Sequence, residues 1–420
     1  MATDVEIVDN FEMTNQKIEP CDILVVGGGI HGVGVAQAAA AAGYKVVLVE
    51  KSALAAGTSS KSSKLIHGGL RYLESAEIGL VRESLREREL LIKIAPDLVK
   101  RQQFYIPVYG STKRGAWTIR AGLSMYAVLA GMGSSVRFRK VPRSEWGSLD
   151  GLSLDDLKTV FQYSDAQTDD RLLTTAVMRS AEELGARLLC PAEFLSASIE
   201  SGECRAQLRI DGNEHQLNAK AIVNAAGPWA NSVLERITPR QSPFPVDNVQ
   251  GTHLELPGEV KQGGYYMEMP QDQRAVFVLP WKGRVMLGTT EHMFDGDPAN
   301  VCPLEQETEY LLEGYRQFFP GRSTEVLDAW SGLRVLPKAQ GKDGAAFKRS
   351  RETQLPTDRD SKPRLVSIFG GKLTGYRATA LKVVEQFRAT LPGSRAIADT
   401  SELRLSTPVE TTASAKPSHG

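Results

Sequence analysis

The chain has few cysteines, and their spacing excludes the common cysteine-based sites. Four cysteines occur among the 420 residues, and no two of them form a CxxC pair. Isolated residues at Cys21, Cys190, Cys204 and Cys302 indicate neither a zinc site nor a disulfide framework. We therefore expect no metal and a reducing, cytoplasmic environment.

An excess of charge of either sign is also lacking. Fifty lysine and arginine residues balance fifty aspartate and glutamate residues, so the net charge does not indicate a nucleic-acid partner. With 41% hydrophobic and 24% charged residues, the composition is that of a globular protein with a large core in two or three domains. A small molecule is the expected partner.

Long hydrophobic runs are absent as well. Residues 1–20 lack the basic start and apolar centre of a signal peptide, so we interpret them as a mobile leader. Residues 116–132 are mostly apolar, but Arg120 interrupts them and the run is short for a bilayer span. Basic residues flank the run, and two interpretations stay open. One is a peripheral helix on anionic lipid at the inner face of the cytoplasmic membrane, and the other is a helix packed on the protein's own core.

The first strong pattern is an apolar strand followed by closely spaced glycines. Residues 23–26 are typical of a buried parallel strand, and Gly27, Gly29 and Gly32 follow with GxGxxG spacing. The first glycine permits a tight turn, the second lets backbone approach a pyrophosphate, and the third allows close packing of a helix. The helix N-terminus then points at negative charge. The pattern predicts a dinucleotide site.

A helix, a second strand and a terminal acid complete this unit. The alanine-rich residues 36–42 continue the helix until Gly43 can end it, and residues 45–49 form the second apolar strand. Glu50 follows directly. Its carboxylate can accept hydrogen bonds from a ribose diol and would repel a 2′-phosphate, so NAD or FAD is favoured over NADP.

Three later segments are rich in small residues and suit close contact with a bulky ligand. They are a Ser/Thr/Gly loop at residues 57–64, Asn-Ala-Ala-Gly-Pro-Trp at 224–229 and Phe-Gly-Gly-Lys-Leu-Thr at 369–374. One nucleotide motif with several such segments indicates an extended cofactor held by discontinuous parts of the chain, and FAD is the more extended candidate. Strand patterns from residue 244 to residue 290 predict an antiparallel substrate sheet.

These segments together resemble the FAD-dependent glycerol-3-phosphate dehydrogenases. The most specific part is Ser-Ser-Lys-Leu-Ile-His-Gly-Gly-Leu-Arg-Tyr-Leu-Glu at residues 62–74, and the similarity extends from about residue 20 to residue 390. The resemblance implies a D-amino-acid-oxidase-like fold. Such a fold combines a Rossmann-like α/β FAD-binding domain with an α+β substrate domain built on an antiparallel sheet.

The resemblance also implies a division of the chain into domains. We expect a discontinuous FAD-binding domain at residues 21–80, 155–235 and 328–392, with the substrate-binding domain at 81–154 and 236–327. Residues 393–420, rich in Ser, Thr, Pro and Ala, are expected to be a disordered tail. The family usually continues as a helical C-terminal domain, so we expect a short form that lacks it.

The family oxidises sn-glycerol 3-phosphate to dihydroxyacetone phosphate by hydride transfer from C2 to flavin N5. It passes the electrons to quinone at a membrane or, in some members, to oxygen. A phosphate dianion needs several donors, and the resemblance implies Arg71, Tyr72, Arg334 and Lys372 around it, with the last two also taking part in catalysis.

The hydroxyl proton requires a base within hydrogen-bond reach. His253 aligns with an active-site histidine of the family and is our candidate. His67 is the competitor, because its motif lies close to the flavin in the family. It could instead shape the cofactor pocket.

The implied FAD contacts come from the glycine motif, the acid that follows it and the later small-residue loops. They are Gly27, Gly29, Ile30, His31, Gly32, Glu50, Lys51, Thr58, Ser59, Ser60, Ser63, Lys64, Leu65, His67, Gly68, Gly69, Ala226, Gly227, Gly371, Lys372, Leu373 and Thr374.

Three positions depart from the usual pattern of the family. His31 stands in place of asparagine, Glu291 in place of aspartate, and Val335 in place of proline. Two alternatives to the dehydrogenase remain. One is a flavin enzyme of the same fold that acts on another hydroxy or amino acid with oxygen as acceptor, and the other is a non-catalytic relative.

Overall fold

The computed structural model describes residues 18–131, 137–338 and 352–408. Residues 1–17 of the predicted leader and Met132 of the apolar run lie outside the described residues. Two sheets and seven α-helices make up the described part. The helices are α1 (Ile30–Ala41), α2 (Ile78–Ile94), α3 (Ala116–Leu129), α4 (Asp170–Glu183), α5 (Ala230–Leu234), α6 (Glu305–Phe318) and α7 (Tyr376–Gln386).

Eighteen strands, numbered in chain order, are divided between the two sheets within these residues. The first sheet contains β1 (Cys21–Val26), β2 (Val46–Val49), β7 (Arg187–Leu189), β8 (Glu193–Ile199), β9 (Cys204–Ile210), β10 (Asn213–Asn224), β11 (Ile237–Thr238) and β18 (Leu365–Ser367). The second contains β3 (Leu65–Ile66), β4 (Val99–Tyr109), β5 (Arg139–Lys140), β6 (Leu157–Thr168), β12 (Val246–Leu256), β13 (Gly264–Glu268), β14 (Ala275–Trp281), β15 (Arg284–Gly288), β16 (His292–Phe294) and β17 (Asp328–Pro337).

The first sheet carries the predicted nucleotide unit at its centre. β1 runs parallel to both of its neighbours, β10 and β2, and its last residue, Val26, lies opposite Asn224 and Val49. β7 pairs in parallel with β2, and β18 pairs in parallel with the end of β10. The turns that follow β1, β2 and β10 therefore meet at one edge of the sheet, where ligands bind in open α/β folds.

Both faces of β1 are buried, which explains its uninterrupted apolar sequence. Ile23 and Val25 belong to a core cluster with α1, α4 and α7, whereas Leu24 belongs to a second cluster with β8, β9 and α5. The glycine and alanine residues of α1 allow close packing on α7. A Cβ at Gly34 would lie 2.7 Å from the ring of Tyr376.

The second sheet is mostly antiparallel, as predicted, and β12 is its organising strand. β17 pairs with β12 along ten residues, from Val246 opposite Pro337 to Glu255 opposite Asp328. β15 and β16 pair with the other edge of β12. α6 packs on one core cluster of this sheet, and α2 and α3 pack on another with β4 and β6. The fold class is the one that the sequence predicted.

Sheet membership does not follow the predicted domain bounds. β6 and β17 come from segments predicted for the FAD-binding domain, but they pair with β4 and β12 in the second sheet. β11 comes from a segment predicted for the substrate domain, yet it pairs with β8 in the first sheet. Hydrogen-bonding partners distant in the sequence decide these positions. The assignment of residues to domains stays a prediction.

The expectation of a disordered tail is wrong for residues 393–408. Leu405 is 1% exposed, and its N–H donates to the carbonyl of Ile94, at the end of α2, at 2.8 Å. The N–H of Ile397 donates to the carbonyl of Ala41, at the end of α1, at 2.8 Å. Composition suggested disorder, but one buried apolar side chain and these backbone bonds hold the segment against the helix ends. Residues 409–420 lie outside the described part.

Candidate active site

A cavity of about 530 Å³ opens where the parallel strands of the first sheet end. Its walls come from the turns after β1, β2 and β10, from the loop that begins at Ala56, and from residues 370–373. Residues 331–336 of β17 close the side next to the second sheet. A concave site of this volume, with mostly apolar walls and several polar groups, suits an extended ligand.

The glycines of the first motif form the turn that the sequence predicted. Gly27 has φ +110°, a left-handed conformation that favours glycine, and a Cβ there would lie 2.6 Å from the carbonyl oxygen of Ala225. A Cβ at Gly32 would overlap the carbonyl oxygen of Gly27. The Ser59 hydroxyl accepts a hydrogen bond from the N–H of Ile30 at 2.9 Å. The turn and the start of α1 are therefore tied to the later loop.

Glu50 lies in the cavity wall and also braces the glycine turn. Its carboxylate accepts hydrogen bonds from the N–H of Gly28 at 2.8 Å and from the N–H of Ser52 at 2.9 Å. These bonds orient the carboxylate beside the N-terminal turn of α1. Glu50 is thus placed where a ribose diol could donate to it.

Only part of the predicted FAD-contact set lines this cavity. Those that do are Gly27, Gly29, Ile30, His31, Glu50, Lys51, Thr58, Ser59, Ala226, Gly227, Gly371, Lys372 and Leu373. Those that do not are Gly32, Ser60, Ser63, Lys64, Leu65, His67, Gly68, Gly69 and Thr374. A direct cofactor contact for the second group stays a prediction.

Lys64 forms a buried ion pair away from the cavity wall. Its ammonium lies 2.6 Å from the carboxylate of Asp170 and 2.5 Å from the carbonyl oxygen of Ser60. The Ser62 hydroxyl donates to the same carboxylate at 2.6 Å. Lys64 therefore anchors the small-residue loop on the first turn of α4.

Sequence reasoning missed several parts of the wall, including Ser232, Val233 and Arg236 at and after α5. Residues 192–194 line the cavity, and their position could have been inferred because they follow β7, which ends at the same edge as β1 and β2. Pro298, Ala299 and Val301 line it as well. They follow β16 of the second sheet, and no local pattern links them to the nucleotide motif.

His31, one of the three departures, is a neutral side chain in this wall. Burial lowers the pKa of His31 to about 4. Among the described residues, its Nδ1 atom has no hydrogen-bond partner. The ring lies against the backbone of Gly371, where a Cβ would overlap the imidazole. The imidazole therefore fills the space between the first glycine turn and the last one.

His253, on β12, is buried within the influence of two cations, Arg334 and Lys64, and it does not line the cavity. Its Nε2 lies 2.9 Å from the Ser63 hydroxyl, and its ring stacks on Trp330 with the centroids 5.6 Å apart. Burial, together with the positive charges of Arg334 and Lys64, lowers the pKa of His253 to about 3. The imidazole is therefore neutral near pH 7.

Arg334, on β17, lies in the cavity wall and is held by acceptors from one loop. Its Nη1 lies 2.8 Å from a carboxylate oxygen of Glu291, and its Nη2 donates at 2.9 Å to the Thr289 hydroxyl and to the Thr290 carbonyl. The absence of a side chain at Gly251 makes room for the guanidinium, because a Cβ there would overlap Nη2. Glu291, the second departure, is therefore an ion-pair partner of Arg334.

Lys372 meets Tyr72 where two of the motif loops touch. Its ammonium lies 3.6 Å from the centre of the Tyr72 ring. The N–H of His67 donates to the Thr374 hydroxyl at 3.0 Å, so the loop of the 62–74 motif is bonded to the last glycine-bearing segment. Arg71 does not line the cavity. The structure thus brings Lys372 to the same cavity as Arg334, with Tyr72 beneath it.

The whole arrangement matches a known family of enzymes. Residues 22–372 match the model of the DAO family, described as FAD dependent oxidoreductase. The chain belongs to this family. The fold and the glycine cradle agree with that membership, and the cofactor of this oxidoreductase is FAD.

Relatives and a solved structure give the same assignment. The oxidoreductase is 38% identical to "Glycerol-3-phosphate dehydrogenase" of Pseudomonas aeruginosa over 376 residues, covering 88% of this chain and 72% of that protein. It is 35% identical to "D-erythritol 1-phosphate dehydrogenase" of Brucella abortus over 385 residues, covering 89% and 75%. The structure of glycerol-3-phosphate dehydrogenase from Bacillus halodurans complexed with FAD aligns with a TM-score of 0.69 at 25% identity, covering 93% of this chain and 68% of that one.

The residues of the cavity fit FAD. At Gly27 and Gly32 a Cβ would overlap backbone atoms, and at Gly29 it would lie 3.1 Å from the Ser59 hydroxyl, so backbone N–H groups of the turn and the start of α1 would hold the phosphates. Glu50 would bind a ribose, and the wall at residues 371–373 would contact the far end of the cofactor. In the described part of this oxidoreductase, none of the helices combines the length and apolar character needed to cross a membrane.

Proposed function

We propose that this enzyme oxidises a secondary hydroxyl of a phosphorylated polyol, with sn-glycerol 3-phosphate giving dihydroxyacetone phosphate. The observation that carries the proposal is the position of Arg334 in the wall of the cofactor cavity, on a strand that pairs with β12, the strand of His253. A guanidinium and a neutral imidazole on paired strands suit an anionic substrate that must lose a proton. The relatives named as polyol-phosphate dehydrogenases support the same substrate class.

The phosphate would bind to the cationic side of the cavity. Arg334 offers planar N–H donors in an orientation set by Glu291 and the loop at residues 289–290. Lys372 lines the same cavity and adds a second positive charge, held on the face of Tyr72. Arg71 is retained as a further phosphate contact of this proposal.

His253 would take the hydroxyl proton as the substrate is oxidised. Its neutral form is the acceptor that this step requires, and Ser63 at 2.9 Å from Nε2 orients the ring. Trp330 stacks on the ring and limits its rotation. Bound FAD supplies a two-electron acceptor for the hydrogen on the oxidised carbon. His67 remains the alternative base.

The number of carbon atoms in the polyol is a separate question. The relative named D-erythritol 1-phosphate dehydrogenase, at 35% identity, favours a four-carbon candidate beside the three-carbon one. Both carry a phosphate and a secondary hydroxyl, so the cationic wall serves either of them. The alternative substrate, an unphosphorylated hydroxy or amino acid, carries a carboxylate with a single negative charge, which one cation can bind, whereas a phosphate dianion makes use of both Arg334 and Lys372.

Electrons would leave to quinone at a membrane surface. α3 supports this part of the proposal, because Trp117 is 81% exposed and Val128 is 60% exposed on its outer face. Arg120 lies beside the Trp117 ring at 5.8 Å. An exposed apolar face with a neighbouring cation suits the surface of an anionic bilayer.

The test is anaerobic reduction of the purified holoenzyme, followed by flavin absorbance. We expect sn-glycerol 3-phosphate or D-erythritol 1-phosphate to bleach the flavin, and glycerol, erythritol and glycine to leave it oxidised at the same concentrations. The phosphate that reduces the flavin at the lower concentration identifies the number of carbon atoms in the polyol. Reduction by an unphosphorylated compound but by neither phosphate would overturn the proposal.

The reduced enzyme is then mixed with a soluble quinone or with oxygen. Rapid reoxidation by the quinone is expected. Rapid reoxidation by oxygen with release of peroxide would instead identify an oxidase.

A further inference from the structure

Glu307 is a buried carboxylate below the strands that carry His253 and Arg334. It lies in the first turn of α6 and is 5% exposed. One carboxylate oxygen accepts a hydrogen bond from the Thr290 hydroxyl at 2.5 Å. The other accepts from the Gln250 amide at 2.6 Å and the Thr252 hydroxyl at 2.7 Å.

This carboxylate is stabilised by neutral donors alone. In the described ranges Glu307 forms no ion pair, and its remaining partner is the N–H of Leu304 at 3.3 Å. A buried charge without a counter-charge is costly unless several hydrogen bonds satisfy it. The four donors come from β12, from the loop at residues 289–290 and from the start of α6. The carboxylate therefore connects these three parts of the fold.

The same bonds continue to both groups of the proposed site. Thr252 directly precedes His253, and its N–H donates to the Thr290 hydroxyl oxygen at 2.8 Å. The carbonyl of Thr290 accepts from Nη2 of Arg334 at 2.9 Å. Two hydrogen bonds through Thr290 therefore connect Glu307 to Arg334. Glu307 also bonds to Thr252, the residue that directly precedes His253.

A second link joins the two strands from the same side. The Thr252 hydroxyl, which donates to Glu307, lies 2.7 Å from the hydroxyl of Ser331 on β17. Arg334 is on that strand. Because a carboxylate can only accept, Glu307 fixes the direction of the hydrogen bonds around it and allows one arrangement of the three hydroxyls.

We propose that Glu307 is the positioning residue that sets the separation of His253 and Arg334, so that phosphate binding and proton transfer occur on one substrate molecule. This inference rests on the proposed function. A glutamine at this position has one acceptor oxygen and directs an N–H₂ group toward donors, which reverses at least one bond of the network. His253 and Arg334 would then shift relative to each other without any change in the FAD cradle.

The experiment compares Glu307→Gln with Glu313→Gln, a control in the exposed part of the same helix. Anaerobic stopped-flow reduction of the holoenzyme gives the limiting rate of flavin reduction and the substrate dissociation constant, both per bound flavin. The probe is the polyol phosphate that reduces the wild type. We expect Glu307→Gln to lower the ratio of rate to dissociation constant by roughly tenfold to a hundredfold, the cost of a small misplacement, with unchanged FAD content. Glu313→Gln should match the wild type.

A second pair of variants separates positioning from folding. Thr290→Val keeps the shape of the side chain and removes the hydroxyl, whereas Thr290→Ser keeps the hydroxyl. We expect Thr290→Val to reproduce the defect of Glu307→Gln, Thr290→Ser to restore most of the wild-type rate, and the double variant Glu307→Gln, Thr290→Val to be no worse than either single one.

Several results would overturn the inference. A lower yield of FAD-loaded protein with unchanged constants per flavin would mean that Glu307 only stabilises the fold. Fully additive effects of the two substitutions would mean that they act independently. If the wild type is reduced by none of the polyol phosphates, the proposed function fails and this inference fails with it, whereas a reduced wild type with an unaffected Glu307→Gln refutes the positioning role alone.

Discussion

At the scale of a single residue, the protonation state of His253 follows from its surroundings. The side chain is 3% exposed, and two cations lie close enough to disfavour a positive charge on the ring. The neutral imidazole is therefore stabilised over the whole physiological pH range. The same surroundings make the ring a weak proton acceptor in the absence of substrate, and under the proposed function a bound phosphate dianion would raise its proton affinity when the proton is transferred.

We predict that His253 in the substrate-free holoenzyme stays neutral down to pH 5, because its pKa is lowered from the ordinary 6.5 to about 3. The unfolded chain then binds more protons than the folded one between these values, so this residue destabilises the fold as the pH falls through that window. NMR of histidine-labelled protein measures the titration, with His253→Asn assigning the signal. A midpoint near 6.5 would contradict the prediction.

At the scale of an element, α3 has one buried face and one exposed apolar face. Ile119, Leu123 and Tyr126 are buried, whereas Trp117 and Val128 are exposed. The two interpretations left open for this run, a helix on the core and a helix on lipid, therefore describe opposite sides of the same helix. The inner side also contacts the 62–74 motif. The Tyr126 hydroxyl accepts a hydrogen bond from the N–H of Gly68 at 2.8 Å, next to His67.

We predict that the outer face of α3 binds anionic vesicles. Replacing Trp117 and Val128 together by serine should weaken binding to vesicles of phosphatidylcholine and phosphatidylglycerol by roughly tenfold or more, because each buried apolar side chain contributes about 1.5–3 kcal/mol. Co-sedimentation measures the bound fraction. The control is Leu154→Ser, since Leu154 is also 50% exposed but lies outside α3. Equal binding by all three proteins would exclude α3 as the contact.

At the scale of the whole molecule, residues 393–408 close the described fold. They are hydrogen-bonded to the ends of α1 and α2. The last described segment of the chain therefore contacts α1, the helix of the nucleotide unit. Leu405 joins the same core cluster as α1, α4 and α7. This segment is therefore part of the folded domain.

We predict that Leu405→Ala lowers the free energy of unfolding by about 2–5 kcal/mol, the usual cost of removing a buried leucine. Urea denaturation of the FAD-loaded protein measures the change. Leu381→Ala is the control, since that side chain is 43% exposed on α7. If the two variants lose equal, small amounts of stability, residues 393–408 contribute little to the fold.

Local patterns in the sequence were sufficient for the nucleotide unit. The apolar strand, the glycine spacing, the helix and Glu50 are consecutive in the chain, so the structure confirms each of them with nearly the predicted bounds. The wall residues that follow β16 could not be predicted in this way. Their place depends on how the second sheet packs beside the first, and no periodicity records that packing.

The network under the proposed site illustrates the same limit. Thr252, Thr290 and Glu307 are unremarkable in the sequence, and nothing in their spacing indicates a shared hydrogen-bond network. Thr252 is on β12, Thr290 follows the neighbouring strand β15, and Glu307 is at the start of α6. They meet because α6 packs on this sheet. A buried polar cluster of this kind is specified by tertiary contacts.

By itself, the sequence determined the dinucleotide turn, because short-range periodicity and glycine spacing encode it directly. The choice of FAD came from the later small-residue loops and the family resemblance that they carry, and that resemblance also implied the fold class. Only the tertiary structure decided which motif residues line one cavity, that Lys64 is an anchor in an ion pair, and that His253 and Arg334 lie on paired strands. The physical reason is that burial and electrostatic environment are properties of neighbours in space. Those neighbours come from strands and loops far apart along the chain.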